Sequence, residues 1–541
     1  MSTKRKHQQV PKLIGSDTET AAFVTGIESP ERTCAEATAL VLDAVDGVPA
    51  NPSLNGHGDY ATGGGYYGYG TGSHFNPQDS GRKFLLNGGC IYNDLNHPEI
   101  CTPEVLSARA HIAAHHGALR FLGDIQQRVN ATLKEGFRLV ILINNSDGRD
   151  NSYGGHTNFL MAGHAWNRIF QRRLTDLLGL ASFQASSIVF SGQGKVGSEN
   201  GTPACDFQIA QRADFYEQVV GAQTTYARPI CNVRDEPLCG RLGTMGAKPD
   251  YKRYHNIFHD TNLAHGAHFL KLGTTQVILS LLETRSFPAQ LALEDPVGAV
   301  VEWSHDPMLR AKARLLTGRK VTAVELQLMF CEHATEFVKR GGCDGFVPEA
   351  LEICNYWADT LEKLRAGNFP ALARRLDWVL KREILERSLR KRPEFTWQSA
   401  EIKHLDQIYG ALDGGLFRAM EKADAVDRMV SDADIERAVH EAPVNTRAFG
   451  RTRLLRLARE TGSRVEQVDW DSVSLNVRGS GWPKPWTVRL DDPLGFTAAN
   501  TSLRDAITLP DALAALGDAA SETKPQTSHS PYYTTQNIIT S

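Results

Sequence analysis

The segment at residues 87–104, NGGCIYNDLNHPEICTPE, constrains the fold most, because it places acidic side chains around one short, strand-like run. The run CIYND has the apolar character of a strand end, and side chains alternate between the two faces of a strand, so Tyr92 and Asp94 point the same way. Residues 96–98 predict a turn, after which Glu99 returns toward Asp94. Two carboxylates brought together suit a divalent cation or acid/base chemistry. An acidic, solvated loop is the alternative interpretation.

A second acidic stretch lies near the N-terminus, where the apolar run of residues 13–15 is followed by alternating acids in the sequence LIGSDTE. On a strand, Asp17 and Glu19 share one face. Magnesium prefers carboxylate oxygens together with substrate phosphates, and it usually takes few protein ligands. Glu19 and Glu99 on two neighbouring strands would therefore make a magnesium site.

Composition favours an enzyme over a nucleic-acid or membrane protein. The 541 residues can bury a large core and normally divide into more than one domain. The net charge of −3 implies no broad polyanion-binding role, and no apolar run is expected to span a membrane. The nine cysteines are odd in number and form no Cys-x-x-Cys pair, so neither a zinc site nor a disulfide framework is predicted. A reducing cytoplasm is the expected compartment.

Several segments in a fixed order resemble the family of Pup ligases and depupylases. GSDTET is similar to the family's N-terminal G-x-E-x-E, and the 87–104 segment is similar to its N-G-A-R-x-Y-x-D-x-x-x-H-P-E-Y-x-x-x-E region. NNSDGRDNSYGGHTNFL resembles N-N-x-D-G-K-x-x-S-Y-G-x-H-E-N-Y-L. The segments that follow in the family's order are QIAQRADF, NVRDEP, HDTNLAHGAHFLKLGTT, LDWVLK and VDWDSV. The resemblance covers roughly residues 12–490.

The resemblance implies an α+β fold of the glutamine synthetase-like, carboxylate–amine ligase type. A curved, mostly antiparallel sheet would be flanked by helices, and a small C-terminal α+β domain would close one end. The chain is predicted to divide into a flexible basic arm, a catalytic domain, the small domain and a polar, disordered tail. Their respective bounds are residues 1–11, 12–440, 441–515 and 516–541.

Residues 47–81 form a Gly- and Tyr-rich stretch that predicts no regular structure. One interpretation is a disordered surface loop. The other is an active-site loop, because the stretch leads directly into the strand that carries Asp94, and loops of this length inside a domain are often functional. In the resembled family, depupylases carry an insertion at this place and ligases lack it.

The resemblance also implies a cofactor site for ATP or ADP with Mg²⁺. The phosphates would be bridged by Mg²⁺ to Glu19, Tyr92 and Glu99, and Thr102 and Trp470 occupy positions of nucleotide contacts. Trp470 would form a wall for the adenine; the alternative is an ordinary core tryptophan.

Two arginines are candidates for contact with phosphate or carboxylate groups, namely Arg212 in QIAQRADF and Arg234 in NVRDEP. Arginine pairs bidentately with such groups, although an internal salt bridge is the alternative for each. Two positions depart from the family pattern. Cys90 stands where the family has a nucleotide-binding arginine, and Thr157 replaces the acid of the family's H-E-N triplet.

Asp94 is the predicted catalytic residue. In a ligase it would act as base on an incoming lysine amine while the C-terminal glutamate of Pup becomes a γ-glutamyl phosphate. In a depupylase it would attack the isopeptide or activate water. The insertion at residues 47–81 favours the depupylase/deamidase reading over the ligase, and an inactive, modifier-binding homologue is a third hypothesis. The predicted partners are a Pup-like modifier and its conjugates, with a link to a proteasome system and no nucleic acid or membrane.

Overall fold

The computed structural model describes residues 9–50, 81–234, 251–477 and 485–522. In chain order the strands are β1 (Ile14–Glu19), β2 (Ala21–Thr25), β3 (Val48–Pro49), β4 (Lys83–Phe84), β5 (Cys90–Asp94), β6 (His97–Cys101), β7 (Arg138–Leu142), β8 (Gly155–Ala162), β9 (Lys195–Val196), β10 (Phe207–Gln208), β11 (Tyr216–Gly221), β12 (Arg228–Asn232), β13 (Tyr251–Asn256), β14 (Ala313–Arg314), β15 (Lys320–Val321), β16 (Arg464–Asp469), β17 (Ser472–Asn476), β18 (Pro485–Arg489) and β19 (Ala520–Glu522).

The helices, again in chain order, are α1 (Pro30–Asp43), α2 (Ala108–Asn130), α3 (Gly163–Gln171), α4 (Leu174–Ser191), α5 (His265–Glu283), α6 (Pro296–Ser304), α7 (Ala323–Lys339), α8 (Ala350–Arg365), α9 (Phe369–Leu372), α10 (Asp377–Lys391), α11 (Ala400–Ile408), α12 (Leu416–Lys422), α13 (Asp432–His440), α14 (Arg447–Thr461), α15 (Thr501–Asp505) and α16 (Leu509–Leu516).

A seven-stranded sheet organises the larger part of the chain, in the order β13-β8-β1-β6-β5-β4-β3. Every neighbouring pair in it is antiparallel, so the prediction of an α+β fold with a mostly antiparallel sheet is confirmed. Burial alternates along β1: Ile14, Ser16 and Thr18 are buried, whereas Asp17 and Glu19 are less covered. The alternation turns the two acids to the face opposite Ile14, as a period of two requires.

Helices α2 and α5 pack against β1 and β8. Helix α5 is buried along its whole length, and α4 packs beside it. By length and composition α4 could cross a membrane, which corrects the expectation that no segment of the chain is apolar enough. Because 83% of α4 is buried inside the fold, the structure uses it as a core helix.

A second core lies in the C-terminal part of the chain. It joins α14, α15 and α16 to the sheet β16-β17-β18-β19. Phe84, Cys90 and Cys101 of the central sheet are members of the same core, and the Phe84 ring meets the edge of Trp470 at a centroid distance of 5.4 Å. The C-terminal unit therefore packs on the β4-β5-β6 side of the central sheet. The boundary at residue 440 remains a prediction.

Three boundaries differ from the expectation. The turn predicted at residues 96–98 is a two-residue hairpin turn at Leu95 and Asn96, both with positive φ (48° and 67°), so β6 already begins at His97. The arm predicted to end at residue 11 is anchored from Gln9 onward, because Gln9 bonds to the Gly342 carbonyl and the following valine is buried.

The tail was predicted to begin at residue 516, but β19 (Ala520–Glu522) pairs with β18 in the C-terminal sheet. Most of the insertion, at residues 51–80, lies outside the described residues, as do residues 523–541 of the tail.

Candidate active site

A cleft of about 1160 Å³ lies on the face of the sheet to which the β1 acids point. The hairpin β5–β6 forms one wall and supplies Tyr92, Asp94 and Glu99. The loop between β7 and β8 supplies Asn144 and Asp147 among other polar groups, as expected for a polar, Gly-containing segment at a strand end. The predicted acid site and the NNSDG segment therefore share one cavity.

Two groups of side chains in this cleft could hold a cation. Glu19, Asp94 and Glu99 form one group, and Asp17, Glu99 and His156 form the other. In each group the ligand atoms lie within 4.8 Å of one another. Strand register produces this arrangement: Glu99 is the cross-strand partner of Glu19 on one side and of Tyr92 on the other. The structure thus brings together the predicted ligands Glu19 and Glu99 and the predicted catalytic Asp94.

The electrostatics of the acids fit a divalent cation. Burial raises the pKa of Glu99 well above its usual range, and the nearby charges of Glu19, Asp17 and Asp94 raise it further, while a hydrogen bond from Tyr92 opposes them. Burial and the Asp94 charge also raise the pKa of Glu19, against a bond from the Gly154 N–H. Carboxylates crowded and desolvated in this way gain most when a cation neutralises them.

The Tyr92 side chain is a neutral phenol, which can donate a hydrogen bond, and not a phenolate anion. Burial and neighbouring acids raise the pKa of its hydroxyl well above the usual value, so the phenol keeps its proton. The guanidinium of Arg82 lies 4.5 Å from the centre of the Tyr92 ring. Tyr92 is therefore a neutral phenol beside its cross-strand partner Glu99, and its predicted contact with metal would be that of a neutral oxygen.

His156 completes the second group as a neutral imidazole. Burial lowers its pKa to about 3, and the charges of Arg212 and Arg253 act in the same direction. Its Nε2 atom lies 3.9 Å from a carboxylate oxygen of Glu19. A neutral imidazole can donate its lone pair to a metal, which a protonated one cannot. The sequence singled out the motif around His156 only as a family match, not as a ligand.

Arginines gather along the same cleft. Arg212 is buried, and its hydrogen bonds go to neutral partners, the Ser152 hydroxyl at 3.2 Å and the Ile257 carbonyl. Arg234 also lines the cleft but is exposed. Arg212 forms no salt bridge with any of the described residues. The alternative interpretation of Arg212 as one half of an internal salt bridge is therefore wrong.

Two further arginines of the cleft, Arg228 and Arg253, were not predicted from the sequence. Burial lowers the pKa of Arg228 to about 10, and the adjacent Arg212 charge adds to the effect. Arg253 is buried on β13 and donates to the Asn158 side chain at 3.1 Å. The positive charges of these arginines make this part of the cleft suited to an anion, which would offset their mutual repulsion. Neither residue lies in a family motif, and only the pairing of β8 with β13 places Arg253 in the cleft.

The predicted nucleotide contacts differ in their placement. Trp470 lines the cleft, is nearly buried, and lies 5.0 Å from the Arg451 guanidinium. Thr102 does not line it. The Thr102 hydroxyl accepts from the Ser16 N–H at 3.0 Å and lies 3.3 Å from Nε2 of His111, behind the sheet. The structure brings Trp470 to the site and leaves Thr102 among the strands.

The two departures from the family pattern have different consequences. Cys90 is fully buried in the C-terminal core and does not line the cleft, whereas Arg82 does. Thr157 is buried with no hydrogen-bond partner for its hydroxyl, and it follows His156 on β8, so it points away from the cleft. The acid lost at position 157 therefore leaves the cluster around Glu99 unchanged.

The chain is similar to known proteins of one family. A family model described as "Pup-ligase protein" matches residues 25–474. A depupylase of Acidothermus cellulolyticus is 36% identical over 400 residues, which cover 73% of this chain and 75% of that protein. A Pup–protein ligase of Acidimicrobium ferrooxidans is 34% identical over 424 residues, with coverage of 76% and 87%.

The fold is similar to that of two solved structures of a Pup ligase. The structure of the complex between Pup and its ligase PafA matches with a TM-score of 0.72 at 24% identity and covers 90% of both chains. The structure of PafA with ADP matches with a TM-score of 0.67 at 25% identity, covering 81% of this chain and 95% of the other. Together with the acid-lined sheet, these matches define a glutamine synthetase-like fold. By its family model and its relatives, the chain belongs to the Pup ligase family.

Replacing the shared ligand tests the cation site. We expect Glu99→Gln to weaken Mn²⁺ binding by more than about tenfold, because Glu99 belongs to both groups of candidate ligands. Electron paramagnetic resonance of free Mn²⁺ measures the affinity. The control is Glu28→Gln, an exposed acid at the same cleft. Equal loss in both variants would mean that the cleft attracts cations only by its overall charge.

Proposed function

We propose that this protein is a depupylase/deamidase-like enzyme that uses ATP or ADP with Mg²⁺. It would hydrolyse the side-chain amide, or the isopeptide bond, at the C-terminal Gln or Glu of a Pup-like modifier. The observation that carries the proposal is the position of Asp94, which lies within one cleft beside Glu19 and Glu99 and in the same cavity as the arginine group. That cleft offers a carboxylate for attack together with charges for a cation and for anionic substrate groups.

The residues present fit the nucleotide and the cation. Glu19 and Glu99 would hold Mg²⁺, joined by Asp17 and His156, and the arginines would contact phosphates. When bound, the cation would neutralise charge on the phosphate oxygens and on the substrate carboxyl group. Trp470 would cover the adenine. In the resembled family a nucleotide-binding arginine stands at the position of Cys90. Arg82, above the Tyr92 ring, is the basic residue that we propose in its place.

Asp94 would do the chemistry on the substrate. As base, its carboxylate would take a proton from water while the water oxygen adds to the amide carbon. The proton would then pass to the departing nitrogen, which leaves as ammonia from a Gln terminus or as the lysine amine from a conjugate. Direct attack by the carboxylate on the amide carbon is the alternative course. The arginines would orient the modifier's free carboxylate, since arginine binds such groups bidentately.

The amidase is preferred to the ligase on two grounds. The insertion at residues 47–81 is a depupylase feature by resemblance, and a relative named depupylase is 36% identical. The ligase is the second candidate, supported by a relative named Pup–protein ligase at 34% identity, 87% of whose length is matched. A ligase would use the same Asp94 as base on a lysine amine.

The modifier and the compartment belong to the same proposal. The structure of PafA with Pup supports a Pup-like partner, because its fold is shared across most of this chain. The cysteines among the described residues are all free thiols, which fits the cytoplasm. A proteasome downstream of the modifier follows from the resemblance alone.

A pair of peptides separates the candidate activities. Purified protein with Mg-ATP would be given a Pup-like peptide ending in Gly-Gly-Gln and, separately, one ending in Gly-Gly-Glu with a lysine acceptor. Mass spectrometry follows both products. Release of ammonia from the Gln peptide is the expected result. Formation of conjugate with release of ADP would overturn the amidase in favour of the ligase, and nucleotide binding without either product would favour a modifier-binding homologue.

Removing the proposed adenine wall gives a prediction on affinity. We expect Trp470→Ala to weaken ADP binding by about 1–3 kcal/mol, the usual contribution of base–aromatic stacking, and Trp470→Phe to weaken it less. Isothermal titration calorimetry measures the change. The control is Trp397→Ala, a partly buried tryptophan that packs on Phe207 outside the cleft. A normal ADP affinity in Trp470→Ala would make Trp470 a core residue only.

A further inference from the structure

A second, basic pocket lies apart from the active cleft. It has a volume of about 520 Å³ and is lined by His164, Asn167, Arg168, Arg172, Arg173 and Arg285. None of these residues lines the active cleft. The pocket sits where α3 meets α4 and where α5 has just ended. That place is next to Ala162, the last residue of β8, about 20 Å along the strand from His156 at 3.3 Å per residue.

The buried floor of this pocket has unused hydrogen-bonding capacity. Arg168 is only 7% exposed. Its Nε donates to Asp176 at 3.2 Å and one terminal nitrogen donates to the Leu282 carbonyl. The other terminal nitrogen, Nη1, is buried and has no partner. Because an unsatisfied, charged donor is costly to bury, this nitrogen points to an acceptor that comes from outside the described chain.

The rim of the pocket carries an excess of positive charge. Arg172 and Arg173 connect α3 to α4, and Arg285 follows α5. All three are exposed, and no acid of the described residues pairs with any of them. Asp176 is engaged by Arg168, and Glu283 is engaged by the buried Lys12. Arg173 also stands at the N-cap of the 18-residue helix α4, where the helix dipole is positive.

We infer that this pocket binds a small polyanion bearing phosphate or carboxylate groups. The volume lies in the range of small-ligand sites, and the arginines converge on a concavity rather than along a groove. Guanidinium groups bind both oxyanions bidentately, so phosphate and carboxylate share the recognition chemistry. The three rim arginines would hold the ligand oxygens, and Arg168 beneath them would add its positive charge.

The test is direct binding to the full chain, independent of any enzymatic activity. Isothermal titration calorimetry would use inorganic phosphate, pyrophosphate and citrate in separate titrations at low ionic strength. The double variant Arg172→Ala/Arg285→Ala removes two rim charges, and both residues are exposed, so its unliganded melting temperature should match that of the wild type. The matched control is Arg387→Ala, an exposed arginine on α10 outside both cavities.

At least one of the three anions is expected to bind the wild type and the Arg387→Ala control with equal affinity. Its affinity for the double variant should be lower by about a hundredfold or more, because two charged hydrogen-bond donors are removed. Preference for pyrophosphate or for citrate then tells which oxyanion the pocket takes. Two results would overturn the inference: no binding by any of the three anions, or equal affinity of the wild type and the double variant for every anion that binds.

Discussion

Asp94→Asn is expected to lower the rate of amide hydrolysis by about a hundred- to ten-thousand-fold, the range in which a positioned acid or base contributes to catalysis. The substitution keeps the size of the side chain and removes the carboxylate that would accept the proton. Asp94 closes the β5–β6 hairpin opposite His97, so its backbone is fixed by strand pairing and does not depend on its charge. Ammonia release from the Gln-terminated peptide measures the rate.

Two further variants make the result specific. Asp94→Glu retains the carboxylate but moves it by one methylene group, and it should recover part of the rate if Asp94 touches the substrate. Glu28→Gln removes an exposed acid from the same cleft and should leave the rate near that of the wild type. ADP affinity should remain normal in all three proteins, because the proposed adenine contact lies at Trp470. A fully active Asp94→Asn protein would remove Asp94 from the mechanism.

The acid cluster was predictable because it depends on short-range rules. A period of two along each strand and a tight turn between them are enough to bring Glu99 back past Tyr92 and Asp94. The position of the turn was predicted wrongly, because Leu95 adopts a positive φ that leucine rarely takes. The register nevertheless held, because a shift of one residue would have turned Glu99 away from the cleft.

The sequence did not predict the group of arginines in the cleft or the position of Thr102. Arg253 reaches the cleft because β13 pairs with β8, a strand far away in the sequence, whereas Arg228 lies on β12, outside the central sheet. The residues of a strand do not reveal its pairing partner. Thr102 carried a family role, but it stands next to Cys101 on the opposite face and bonds into the strand–helix layer. A nucleotide contact assigned to Thr102 by its position in the family motif is therefore not supported, because the side chain lies on the face of the strand that points away from the cleft.

Glu104 and Arg451 are expected to carry the largest effect on stability. Arg451 is fully buried, and it donates to Glu104 at 2.9 Å, to the Trp470 carbonyl at 2.7 Å and to the Gly88 carbonyl at 2.7 Å. Arg447 donates to the same carboxylate at 2.8 Å. Gly88 and Glu104 flank the β5–β6 hairpin, so these bonds join the hairpin to α14. We expect Arg451→Met to lower the free energy of unfolding by about 3–5 kcal/mol, measured by urea denaturation.

The same carboxylate gives this contribution a defined pH dependence. Burial alone would raise the pKa of Glu104, but the charges of Arg451 and Arg447 and their hydrogen bonds outweigh it and lower the pKa to about 2. A group whose pKa is lower in the folded state stabilises fully above its unfolded pKa and loses that stabilisation as the pH falls through the folded value. The contribution of Glu104 should therefore be complete above about pH 5 and disappear toward pH 2.

Glu104→Gln tests the sign of this effect. Its stability deficit against the wild type should be largest near neutral pH and should shrink at each step as acid is added, down to the lowest pH at which both proteins unfold cooperatively. Glu401→Gln, at an exposed glutamate on α11, should show almost no deficit at any pH. A deficit for Glu104→Gln that stays constant with pH would assign its cost to lost packing. A shrinking deficit would mean that the charge of Glu104 holds the catalytic hairpin against the C-terminal unit.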